Sequence, residues 1–246
     1  MFPRAQRLNS VAVAHIQKKG IRSFTPFFRM MFLPASEFRI SCVIPKKVIS
    51  RRIDRNREKR RILHTLKNIF HIKTIFWYVI YLQKDTSTLS LDELRIELLN
   101  LIYKQCTEKS FNKNIYISLV LDKQSEALLR NNIAQKHKNS FYHHMTVIYN
   151  LDKKDFKTYK NYIGTQSSIK TKGVCFDEKG QAALVKAKLC EAEFPHITLS
   201  CIDGIGPFYS NELLKNNTNY TSIALSLSGT IKLTFIKLDS VVLEKI

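Results

Sequence analysis

Glycine is scarce, at 7 of 246 residues, well under half the usual share of ~7%. Neither GxGxxG nor GxxxxGK[ST] occurs, which excludes a glycine loop cradling a nucleotide's phosphates. The five cysteines, Cys42, Cys106, Cys175, Cys190 and Cys201, are odd in number and lack CxxC spacing. That pattern fits packed or free thiols in a reducing, cytoplasmic setting, and argues against a disulfide framework or a zinc knuckle. The longest apolar run, residues 75–82, falls far short of the ~20 residues of a membrane span, so no membrane partner is expected. No secretory h-region opens the chain. Acid is also in short supply: 20 Asp and Glu stand against 40 Lys and Arg, a net +20. Such a charge attracts polyanions, and nucleic acid is the first partner to consider.

What is present is enough for a core, at 44% hydrophobic and 11% aromatic residues. At roughly 100–200 residues per domain, the length allows one large domain or two small ones. The positive charge is concentrated early: residues 1–108 hold 21 basic and 8 acidic residues. Its densest stretch, 46–61, has nine basic residues against Asp54 and Glu58.

Periodicity predicts a helix over 9–19 closed by Gly20 as a C′ residue. Strands are expected at 24–33 and 38–44, joined at Pro34-Ala35-Ser36. A helix is expected over 51–70, with Ile62, Leu63, Leu66, Ile69 and Phe70 as its apolar stripe. Arg57, Arg60, Arg61, His64 and Lys67 fall on the opposite side. A buried strand at 75–82 and a helix at 91–103 follow, the latter with Ser90 and Glu93 as a capping box. The first unit thus reads αββαβα. Polar residues 104–114 contain the expected boundary: domain 1–108, linker 109–114, second domain 115–246. The second domain opens with a strand at 115–121 and a helix near 123–131. Strands at 145–149, 173–175, 182–188 and 197–201 and two near the C-terminus complete it, with a turn at 216–220. The fold class is α+β.

The passage 38–66 runs from a strand through Lys46-Lys47 into an arginine-rich helix. Arginine suits phosphate because its planar guanidinium donates in a fork. Arg52, Arg55 and Lys59, at i, i+3 and i+7, share one side of the helix, with Asn56 among them. The string Arg55-Asn56-Arg57-Glu58-Lys59-Arg60, after a strand and Lys46-Lys47-Val48, resembles the protein component of bacterial ribonuclease P. Arg7-Leu8, Lys19-Gly20 and Phe28 extend the resemblance over about residues 4–105. Because it claims residues from Arg4 onward, the acid-free opening reads as part of the domain rather than as a transit peptide. The resemblance implies an α/β sandwich with a left-handed crossover. It also implies two partners, the catalytic RNA and precursor tRNA, with Mg²⁺ used by that RNA to remove the 5′ leader. Arg52, Arg55, Asn56, Arg57, Lys59 and Arg60 would face the catalytic RNA, Lys46 and Lys47 would add phosphate contacts, and Phe28 would line the leader cleft. Val13 and Gln17 stand where the family carries aromatics facing that cleft.

Two strings in the second half match each other: His144-Met145-Thr146 and His196-Ile197-Thr198. In a strand, residues i and i+2 point to one face. Each His then shares a face with its Thr, while Met145 and Ile197 point to the core. Side by side, the two strands would set two imidazoles and two hydroxyls around one phosphate-sized site, one His as base and the other as acid. Parity puts His143 on the other face, and His137 reads as a loop residue. Residues 115–240 resemble the two-histidine phosphoesterases, a superfamily that includes cyclic phosphodiesterase domains of tRNA ligases. The resemblance implies a metal-free site in which His144 and His196 are acid and base and Thr146 and Thr198 bind phosphate. Which His is the base stays open.

Three organisations remain. One is a ribonuclease P subunit with an appended 2′,3′-cyclic phosphodiesterase domain. Another is a stand-alone RNA-end-processing enzyme with a basic delivery module. The third is a non-catalytic RNA-binding protein. No obligate protein partner is legible.

Overall fold

The computed structural model describes residues 2–70, 76–106, 115–190, 192–217 and 219–235. The expected linker 109–114 lies outside them, as do Ile75 and residues 236–246. The chain packs as two units. One holds Met1–Ile115, Asn150–Gly164 and Leu233–Ile246; the other holds Tyr116–Tyr149 and Thr165–Lys232.

After a 3-10 turn at Arg4–Gln6, the first unit forms α1 (Ser10–Lys19), capped by the Asn9 side chain, which accepts from the Ala12 N–H. Gly20 ends it in extended backbone, with φ at −75°, not in the left-handed conformation of a C′ glycine. Glycine is needed there for close approach: a Cβ would lie 2.6 Å from the Ile16 carbonyl oxygen. The strand expected at 24–33 is two strands, β1 (Ile21–Phe24) and β2 (Phe28–Pro34), paired as an antiparallel hairpin. Pro26 lies in the turn and blocks a continuous ladder. Then come β3 (Arg39–Val43), α2 (Arg52–Ile69), β4 (Phe76–Leu82) and α3 (Leu91–Cys106). The sheet order is β1-β2-β4-β3, with β3 and β4 parallel across the α2 connection. The apolar stripe of α2 is buried as its periodicity requires: Ile62, Leu66, Ile69 and Phe70 have no exposed surface. Ser90 and Glu93 form the expected reciprocal cap of α3.

The second unit is built on one sheet. Its strands are β5 (Ile115–Leu121), β6 (Asn139–Ser140), β7 (His144–Ile148), β8 (Gln166–Phe176), β9 (Gly180–Lys186), β10 (His196–Cys201), β11 (Thr221–Ser222) and β12 (Ser226–Phe235). Pairing runs β11-β8-β12-β5-β7-β10-β6, and β9 bridges β8 and β10, so six strands form a closed ring of ladders. Closure removes free edges from the centre of the sheet. The helix α4 (Lys123–Asn132) starts at Asp122, whose side chain accepts from the Ser125 N–H. The helix α5 (Lys153–Tyr159) was not expected from periodicity and belongs to the first unit. There Phe156 stacks on Tyr103 of α3 at 3.8 Å, and Arg95 donates to the carbonyls of Asn161 (3.0 Å) and Ile163 (2.7 Å). A final helix, α6 (Tyr209–Asn216), buries Leu213 and Leu214 against Cys175 and Ala182.

Candidate nucleic-acid interface and two-histidine site

The basic helix exposes part of its charge and commits the rest. Lys46 and Lys47 are exposed in the turn before α2, and Arg52, Asn56, Arg57, Lys59 and Arg60 are exposed on the helix. Arg57 is also paired with Asp54 at 3.3 Å. Asn56, Lys59 and Arg60 line a cleft of about 320 Å³ with Arg7, Leu8 and Ser41. That cleft joins the helix to the β3 edge and to the N-terminal segment.

Three expectations need correction. Arg55 is half-buried and donates to the Ile49 (3.0 Å) and Ser50 (2.5 Å) carbonyls, so part of its fork ties down the turn before the helix. Arg61 does not sit on the solvated side. It pairs with buried Glu58 at 3.1 Å and donates to the carbonyls of Leu89 (2.7 Å) and Thr86. Glu58, 4% exposed, also accepts from the Thr86 hydroxyl at 2.5 Å. The pair has local i,i+3 spacing, but its lock onto the 83–90 loop is announced by no local pattern. Phe28 has no exposed surface; its side chain belongs to the core and offers nothing to a nucleic acid. Of the two positions where the resembled family carries aromatics, Val13 is partly buried against Ile16, Met31, Val79 and Tyr81, and Gln17 donates to the Tyr81 hydroxyl at 2.6 Å.

In the second unit β10 pairs antiparallel with β7 at Ile197 opposite Met145. By that register His196 stands opposite Thr146 and Thr198 opposite His144, and strand parity sets all four on the face away from Ile197 and Met145. Ile197 and Met145 are buried, at 0% and 1% exposure. Both histidines are half-buried.

The His196 Nδ1 lies 2.8 Å from the Phe194 carbonyl oxygen. A carbonyl only accepts, so Nδ1 carries the proton and Nε2 is the basic nitrogen. Burial pushes the His196 pKa below the usual histidine value, opposed by that hydrogen bond. His144 is flanked by Tyr116 at 5.9 Å and His143 at 4.4 Å between ring centroids. His143 therefore does not turn away: it precedes β7, where parity does not apply, and its Nδ1 donates to the Phe141 carbonyl at 2.6 Å. Thr198 is 9% exposed; its hydroxyl lies 2.9 Å from the Ser210 hydroxyl and 3.2 Å from the Pro207 carbonyl oxygen. Tyr116 and Ser210 are neighbours that sequence reasoning missed, because contact across strands and helices leaves no local trace. Among the described residues no group of three or more His, Cys, Asp or Glu is arranged to hold a metal ion, and no helix is long and apolar enough to cross a membrane.

Comparison with known proteins divides along the same lines. Residues 2–106 match the ribonuclease P family, and residues 82–235 match the fungal tRNA ligase phosphodiesterase domain. The two matches overlap across the end of β4 and α3. Among solved structures, the chain is similar to the Staphylococcus aureus RNase P protein, with 19% identity over 44% of this chain and 100% of that one, at a TM-score of 0.37. A mutant of that protein with defective mRNA degradation activity gives 18% identity over 42% and 89%, at 0.38. The RNase P protein from Thermotoga maritima gives 21% identity over 40% and 96%, at 0.36. No curated protein matches the chain.

Proposed function

The chain belongs to the family of the fungal tRNA ligase phosphodiesterase domain and matches the ribonuclease P family over its first 106 residues, and from that premise we propose that it processes RNA with two working parts. Residues 1–108 act as the protein subunit of ribonuclease P. They bind the catalytic RNA through Lys46, Lys47, Arg52, Asn56, Arg57, Lys59 and Arg60, with Arg55 shaping the turn. They assist removal of the 5′ leader from precursor tRNA, and the Mg²⁺ of that reaction is held by the RNA. Residues 115–246 hydrolyse RNA ends that carry a 2′,3′-cyclic phosphate.

The observation that carries the second assignment is the Ile197–Met145 register, which turns two separate HxT strings into one face. His196 is the better base, because burial keeps it neutral and its Nε2 is the nitrogen without a proton. It takes a proton from the attacking water as the new P–O bond forms. The P–O bond to one ribose oxygen breaks, and His144 delivers a proton to that leaving oxygen. Thr146 and Thr198 donate to the non-bridging oxygens as charge develops on them. The product is a phosphomonoester.

The test is hydrolysis of an oligonucleotide ending in a 2′,3′-cyclic phosphate by the full chain in EDTA. Turnover that persists in EDTA and is lost in H144A and H196A supports the reading. Turnover unaffected in the double variant, or abolished by EDTA, overturns it. For the first part, RNA that co-purifies with the chain is sequenced. Recovery of a ribonuclease P RNA supports a subunit, whereas bulk tRNA alone supports a delivery module serving the phosphodiesterase.

A further inference from the structure

Ser210 is a buried hydroxyl, 1% exposed, for which the reaction above has no use. It sits in the first turn of α6, 2.9 Å from the Thr198 hydroxyl. The start of that helix is fixed: the Tyr209 hydroxyl donates to Asp177 at 2.6 Å, and Leu213 and Leu214 pack against Cys175 and Ala182. We propose that Ser210 is a positioning residue of the two-histidine site, which turns the Thr198 hydroxyl into a donor for the substrate phosphate. The inference rests on the reading of the two HxT strings as one phosphoesterase site.

A threonine hydroxyl has one proton and two lone pairs. Thr198 has two acceptors within reach, the Pro207 carbonyl at 3.2 Å and Ser210 Oγ. While its proton points at either, it has nothing to give a phosphate. The Pro207 carbonyl also accepts the Ser210 backbone N–H at 3.2 Å, so it stays satisfied when the Thr198 proton leaves it. Ser210 brings a proton of its own. With a phosphate in the site, Ser210 donates to Thr198 Oγ and Thr198 donates to the phosphate. Two hydroxyls aligned in one direction polarise each other, and the ionised acceptor strengthens the last bond. Without Ser210, Thr198 Oγ loses its donor, and burial keeps water from replacing it.

The experiment is a double-mutant cycle in the full chain, S210A and T198V singly and together. It is read by titration of inorganic phosphate as the binding probe and by kcat and KM on the cyclic-phosphate oligonucleotide. Losing one hydrogen bond to the site predicts phosphate affinity about three- to tenfold weaker in S210A. In the T198V background the same change should cost less than about twofold, because the group Ser210 acts through is gone. S210C keeps the volume with a much weaker donor, and should follow S210A in phosphate affinity while melting like the parent. Equal losses from S210A in both backgrounds, or parental affinity in both S210A and S210C, would overturn the proposal. The phosphate titration decides this even if turnover proves independent of the histidines, an outcome that would sink the phosphodiesterase reading instead.

Discussion

Ile197 of β10 lies directly opposite Met145 of β7, and both are buried. One residue of slip would send one HxT string into the core and leave the other alone. In this register each histidine faces the other strand's threonine. H144A and H196A should each lower the rate on a cyclic-phosphate end by at least ~10²-fold, the low end for a lost general acid or base. T146A should cost less, about tenfold, as one hydrogen bond to a charged group. Initial rates on one oligonucleotide check both. A histidine variant with parental rate would remove that residue from the chemistry.

The pH profile follows from the direction of the His196 shift. A base works in its neutral form, and burial lowers the pKa of His196. It therefore stays neutral below the ordinary value of about 6.5, and the acid limb of kcat/KM should lie on the acid side of that pH. Stability carries the same sign. As pH falls below the unfolded value, the unfolded chain takes up the proton first, so the fold loses stability until the folded pKa is passed. Chemical denaturation at pH 7 and pH 5 should show a loss that is smaller in H196Q. An acid limb above 6.5 would contradict the assignment of His196 as the base.

The arginines of α2 should separate into two classes. Arg57 and Arg60 are exposed, and R57A or R60A should weaken RNA binding and reduce the slope of log affinity against log salt by about one each. Arg61 is tied to Glu58 and two carbonyls. R61A should leave the salt slope alone and destabilise the fold by about 1–3 kcal/mol, because Glu58 keeps only the Thr86 hydroxyl. Filter binding over a salt series and urea denaturation distinguish the two. A changed slope in R61A would return Arg61 to the interface.

Phe28 is a core residue by its complete burial. F28A should destabilise by about 3–5 kcal/mol, the range for emptying a buried aromatic site. Below the melting transition its RNA affinity should equal that of the parent. Weaker RNA binding with unchanged thermal stability would put the ring on the surface.

Much of this was legible in the chain. The stripe Ile62, Leu63, Leu66, Ile69 and Phe70 fixes the buried side of α2, because helical period is a property of consecutive residues. The Ser90–Glu93 cap of α3 and the parity of each HxT strand are local in the same way. Pro26 also marks the break between β1 and β2, but the aromatics Phe24, Phe27 and Phe28 around it read as one strand.

Other features depend on residues far apart in sequence, and only tertiary structure decided them. Helical spacing puts Arg61 beside Arg57 and His64, yet Glu58 and the 83–90 loop draw it inward, since a buried carboxylate must be paired. Nothing near Phe28 says whether its face of β2 is covered. Parity gave each histidine a threonine, but the closed ring of strands set the two pairs side by side. The fold of α6 then brought Ser210 to Thr198. Periodicity determines which way a side chain points from its own element, whereas what it meets there depends on how the elements pack.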